Sequence, residues 1–235
     1  MNEFKISSYF LVVFLFASCT LLKEGSAYEL KNSRYKSTAK GKTEYFWVQF
    51  NDSLLSLFPY HNKIDVNKNN PLSFSLNGIP RSDSPPFLNL SKSGFDIDFL
   101  TIPFKYRPSV KNFPNQLNTN FSGGIYAGFR SDFYHFYYST DPVGKQKSEQ
   151  KHFGLGIGFF SGFGSTAINP WTTQSRVQSE YDGFVFMNGV AGIVAVNKLT
   201  FGLCTGIDFL LDKNKSAWIY QHKPWVGLTL GLNIN

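Results

Sequence analysis

The residues able to do chemistry in this 235-residue chain are few and scattered. The histidines are His61, His135, His152 and His222. None stands at metal-ligand spacing from another His or Cys, so no zinc or iron site and no cofactor is expected. Ser131 and Ser161 lie near His135 and His152 in sequence, and a serine nucleophile needs a base within hydrogen-bond reach. There is no G-x-S-x-G elbow, and "GLGIG" (154–158) precedes no helix, so it is a glycine-lined strand face and not a phosphate loop. The cysteines are Cys19 and Cys204, too few for a disulfide framework once Cys19 is modified or removed. A lone Cys204 on a strand is a small packing residue. Asp208 is the polar residue that most needs explaining. It alternates with glycines, between Gly206 and Leu210, on a run whose other face is apolar.

The elements that carry these residues are strands. "KPWVGLTLGLNIN" (223–235) puts Val226, Leu228, Leu230, Leu232 and Ile234 on one face, with Gly, Thr, Asn and Trp225 opposite. "FGLGIGFFSGFG" (153–164) separates Phe153, Leu155, Ile157 and Phe159 from Gly154, Gly156 and Gly158. "LTFGLCTGIDFLLD" (199–212) sets Leu199, Phe201, Leu203 and Ile207 against Gly202, Gly206 and Asp208. Asn197-Lys198 joins it to the apolar run 184–196 as a two-residue hairpin. "EYFWVQF" (44–50), "PLSFSLNGI" (71–79) and "FDIDFLTIPFKYRP" (95–108) read as further strands, the last with a bulge or edge position at Pro103. Residues 120–138 read either as one bent strand or as a hairpin turning at 130–132. No helical period and no fixed repeat appear after the N-terminal segment.

Composition agrees. Aromatics make up 17% of the chain, charged residues 17%, and there are 20 glycines. That describes an all-β chain that presents apolar surface. The formal charge of +7 comes from scattered residues. With no basic stripe, nucleic acid is not an expected partner. Lys5 and the apolar stretch 9–22 read as an export signal. Two processing readings stand open. "FASC" (16–19) resembles a lipobox with Cys19 as the lipidation candidate, and "GSA" (25–27) offers ordinary cleavage before Tyr28. The expected organisation is a signal segment over 1–27, a polar tether over 28–43 and one domain over 44–235, irregular at 51–94.

Glycine after glycine on the polar face decides which way the strands point. A sandwich exposes Lys, Glu, Thr and Arg on that face, whereas a small barrel turns large apolar residues to lipid and small residues inward. The expected fold is therefore an antiparallel up-and-down β-barrel of about eight strands. Val226, Leu228, Leu230, Leu232, Phe201, Leu203, Ile157 and Phe159 would face lipid. Asp208 and Arg130 would be interior polar residues, with Arg130, Lys105 or Lys198 partnering Asp208, and Asp96 and Asp98 at the rim. Tyr134, Phe136, Tyr137, Tyr138, Trp218, Tyr220 and Trp225 would form an interfacial girdle. With the Asn197-Lys198 turn periplasmic, 164–183 and 211–224 become external loops.

From "TIPFKYRP" through "GIDFLLDKNKSAWIYQHKPWVGLTLGLNIN", roughly 95–235, the chain resembles a family of small, uncharacterised outer-membrane β-barrel proteins of Gram-negative bacteria. The resemblance implies insertion in the outer membrane by the barrel-assembly machinery. The expected role is structural, adhesive or binding through external loops, without catalysis. Two alternatives stand beside it. One is a lipid-anchored or periplasmic lipocalin-like barrel binding an apolar ligand. The other is a rim-active lipid-modifying enzyme using His135 or His152 with Ser131 or Ser161.

Overall fold

The computed structural model describes residues 30–39, 42–51, 53–61, 65–69, 71–80, 82, 84–110, 113–197 and 199–232. The signal segment, Cys19, the competing cleavage site, Lys198 and the last three residues lie outside them. Among the described residues there is no helix, and every strand pairing is antiparallel.

The described residues form twelve strands, not about eight. They are β1 (Ser33–Ala39), β2 (Lys42–Asn51), β3 (Leu54–His61), β4 (Asp65–Val66), β5 (Leu72–Ser75), β6 (Phe87–Arg107), β7 (Gln116–Asn118), β8 (Ser122–Thr140), β9 (Gln146–Ile168), β10 (Tyr181–Val196), β11 (Leu199–Leu210) and β12 (Pro224–Leu232). The order across the sheet is β12-β11-β10-β9-β8-β6-β1-β2-β3-β4, and β12 also pairs with β6. Six strands, β6 and β8 to β12, thus join in a closed circuit of pairings, which we call the ring.

β6 forks. Its second half pairs with β12, from Leu100↔Gly231 to Tyr106↔Val226. Its first half meets β1 at Lys36↔Ser91. Strands β1, β2, β3 and β5 continue from that side as a lobe. Its core contains Tyr35, Val48, Leu55, Leu57 and Phe74, packed on Leu88, Leu90, Tyr134 and Phe136 of the long β6 and β8. The lobe overturns two expectations. The polar stretch 28–43 contains β1 and the start of β2, because Tyr35 alternates inward and seals this core. The irregular stretch 51–94 contains β3, β4 and the first residues of β6, besides β5, which falls within the expected strand 71–79.

β6 and β8 are long because each serves both the ring and the lobe. β8 runs unbroken through 130–132, so the hairpin alternative is not what forms. β8 and β9 meet in a tight turn at 141–145, where Asp141 Oδ1 accepts from the N–H groups of Val143 and Lys145 and Gly144 takes a left-handed conformation (φ 86°). Most of 139–151 is therefore strand. At the opposite end, loops 108–115, 169–180 and 211–223 pack together. Trp218, Ile219 and Tyr220 bury against Ile168, Val185 and Leu210, and Ile219 N–H donates to Thr172 O across two of the loops.

Candidate functional site

The ring has two contrasting faces. Outside, Phe95, Ile97, Phe99, Phe129, Leu155 and Phe163 are exposed, and so are the expected outward residues Val226, Leu228, Leu230, Phe201, Leu203, Ile157 and Phe159. Exposure reaches 70% at Ile157 and 74% at Phe159. Leu232 lies on the same strand, beside Leu199, but its side chain is outside the described set. Contiguous apolar surface on this scale marks a face meant for something other than water.

Inside, the glycines allow strands and side chains to crowd. Gly128 and Gly158 are direct cross-strand neighbours. A Cβ on Gly158 would sit 2.5 Å from both Ala127 O and Gly128 Cα, which no side chain tolerates. That space lets Leu100, Ile102, Tyr126, Phe160, Met187, Ile193 and Trp225 fill the middle of the ring.

Two charged clusters flank this apolar middle. In the first, Asp208 is wholly buried. Trp225 Nε1 donates to its Oδ1 at 2.7 Å, Lys105 Nζ lies 3.3 Å from Oδ2, and Arg107 Nη2 is in direct contact with Oδ2. Arg107 also stacks beside Trp218 and Tyr220, its guanidinium 5.1 and 5.2 Å from their ring centres, so it ties the cluster to the loop cap. In the second cluster Arg130 lies 2.9 Å from Asp132, 3.6 Å from Asp96 and 3.9 Å from Asp98. His152 Nε2 meets Asp132 at 2.7 Å, and its Nδ1 is 3.3 Å from Asn197 O. A buried charge is tolerated only with partners of this kind.

These placements differ from expectation in instructive ways. Asp208 and Arg130 are both interior but belong to different clusters, and of the two described partners considered for Asp208, Arg130 and Lys105, it is Lys105 that meets it. Asp96 and Asp98 are not rim residues; both are buried inside. Arg107 was not anticipated at all. The reason is a bulge at Pro103. Leu230 pairs with Thr101 and Leu228 with Phe104, so β6 advances three residues while β12 advances two. Asp96, Asp98, Leu100 and Ile102 face inward before it, and Lys105 and Arg107 after it. The signal that could have located Arg107 was Pro103 itself, since one extra residue inverts the alternation that follows. The girdle is also corrected in part. Trp218, Tyr220, Trp225, Tyr134 and Phe136 are buried, because they serve the interior and the two end caps.

The serine–histidine pairings are not assembled. His152 points inward, whereas Ser131 bonds Ser93 Oγ and Ser161 bonds Asn188 Oδ1 on the outer face. His135 is exposed and held against Asn89 Oδ1 at 2.5 Å. Among the described residues no group of His, Cys, Asp and Glu is arranged to hold a metal ion. Cys204 is buried, 3.5 Å from Gly227 O. No protein-family model, curated protein or solved structure matches this chain.

Proposed function

We propose that this chain is an integral β-barrel protein of a bacterial outer membrane, with a structural, adhesive or binding role carried by loops 169–180 and 211–223 and no catalytic activity. The supporting observation is the pairing of an exposed apolar belt with a glycine-lined, charged interior. Water penalises that belt at roughly 25 cal/mol per Å² of apolar surface, whereas hydrocarbon does not. A membrane strand of about 9–11 residues suffices when tilted, and β9, β10 and β11 are all longer. The barrel in this reading is the six-strand ring, with the lobe beside the short Asn197 turn and therefore periplasmic. Outer-membrane lipid and the barrel-assembly machinery are its partners.

A lipocalin-like carrier requires an open apolar interior. Here Tyr126, Phe160, Met187 and Trp225 occupy that space, so the interior favours a plugged barrel. Membrane fractionation tests the proposal. The protein should stay in the pellet after carbonate or high salt, dissolve in detergent, and show heat-modifiable gel mobility. Release by carbonate without detergent would overturn it. Labelled fatty-acid incorporation, lost in Cys19→Ala, separates lipidation at Cys19 from cleavage after Ala27.

A further inference from the structure

The outer face changes character where the ring meets the lobe. Phe133, Phe153 and Val196 are exposed and form the last apolar row of the belt, linked through the cross-strand pairs Phe133↔Phe153 and Phe153↔Val196. The next row on the same face is polar, Asn89↔His135↔Lys151. Lys36 approaches from β1, paired to Ser91, whose Oγ donates to Lys36 O. Between the two rows lies a depression of about 780 Å³. Its wall toward the ring is apolar and its wall toward the lobe is basic.

Among the described residues neither Lys36 nor Lys151 has a carboxylate partner. The acid nearest to Lys151 on this face of β9, Glu149, is engaged by Lys147, Tyr137 and Ser139. Asp132 faces the interior and is held by Arg130 and His152. Lys151 rests its ammonium 5.1 Å from the centre of the Tyr137 ring, which leaves the charge open to an anion.

We propose that this depression binds the phosphate headgroup of an anionic glycerophospholipid of the surrounding bilayer, with Lys36 and Lys151 on the phosphate and the start of an acyl chain on Phe153 and Val196. The inference rests on the membrane reading above. Two features single out a lipid rather than a free phosphate. The cations sit at the level where the apolar belt ends, which is where a headgroup lies, and the apolar wall of Phe153 and Val196 continues into the belt through Leu155 and Val194.

Native mass spectrometry of the full chain in non-ionic detergent, with phosphatidylglycerol or phosphatidylcholine added, tests this. The wild type should retain phosphatidylglycerol in preference. Lys36→Gln with Lys151→Gln should weaken that retention by roughly thirtyfold, the scale of two lysines near a lipid surface, and leave phosphatidylcholine unchanged. Lys213→Gln with Lys215→Gln removes the same charge from the opposite end and should change nothing. Heat-modifiable mobility reports that each variant is folded. Equal phosphatidylglycerol retention in folded Lys36→Gln/Lys151→Gln protein, or equal loss in the control pair, overturns the site. Competition by glycerol phosphate as effective as by the lipid also overturns it. These results leave an integral protein integral. If carbonate releases the wild type, the membrane reading and this site fail together.

Discussion

Asp208 holds three donors from two strands, Lys105 and Arg107 of β6 and Trp225 of β12. Removing it leaves two buried cations facing each other. Asp208→Ala should therefore destabilise by about 3–5 kcal/mol, the usual cost of breaking a buried ion pair by deleting one partner. Urea unfolding in detergent micelles would measure it. Adding Lys105→Met should recover part of the loss, because an apolar group of similar length removes one stranded charge. Glu149 makes a different prediction at the same scale. Hydrogen bonds from Lys147, then Tyr137 and Ser139, hold its carboxyl down at about 2, below the ordinary 4.5. A lowered folded-state pKa means the stabilisation is full above about 4.5 and is lost as the pH falls toward 2. In Glu149→Gln the loss of stability across that window should be shallower, as read from unfolding midpoints at a series of pH values.

At the scale of the element, the strand faces make opposite demands on glycine. Gly158 faces inward against Gly128, with no room for a Cβ, while a Cβ at Gly192 meets nothing within 4 Å. Gly158→Val should cost at least the roughly 1–3 kcal/mol of an overpacked core, and Gly192→Val should be neutral or slightly stabilising. Unfolding midpoints of the two variants decide it. The same alternation explains what could be read from sequence. Phe159, Leu203 and Val226 declared the outer face, and Gly158, Gly206 and Asp208 the inner one, because a strand's period of two survives without knowledge of its partners. Three things were not fully legible. Pro103 announced an irregularity but not the inversion that carries Arg107 inward beside Lys105. The lobe was read only in part: β2 and β5 fall in the expected strands 44–50 and 71–79, but β1 lies in a polar, basic stretch and β3 in a segment bounded by Asn, Ser and Pro. Asp132, the nearest partner of Arg130, lies two residues along the same strand, but its approach to Asp96 and Asp98 depended on how far β6 and β8 slide past each other, and that shift has no local signature.

At the scale of the whole molecule, the discriminating quantity is what surrounds the belt. Ile157→Arg places a charge on its outer face. In hydrocarbon that should cost about 2–4 kcal/mol near the middle of the bilayer, whereas on a water-exposed face it should be near neutral. Reversible folding into lipid vesicles measures the difference, and a neutral result would contradict the membrane reading. The fork of β6 has a further consequence. β8 and β9 are paired from Ser122↔Gly164 to Thr140↔Gln146, but the closing pair of β6 and β12 runs only from Leu100 to Tyr106 and is interrupted by the bulge. That seam is the shortest contact in the ring and the one joining the most distant parts of the chain. Its amide protons should be the first of the ring to exchange with deuterium, ahead of those between β8 and β9. The ring then breathes along one line, like a cylinder slit on one side, and the slit lies where the lobe begins.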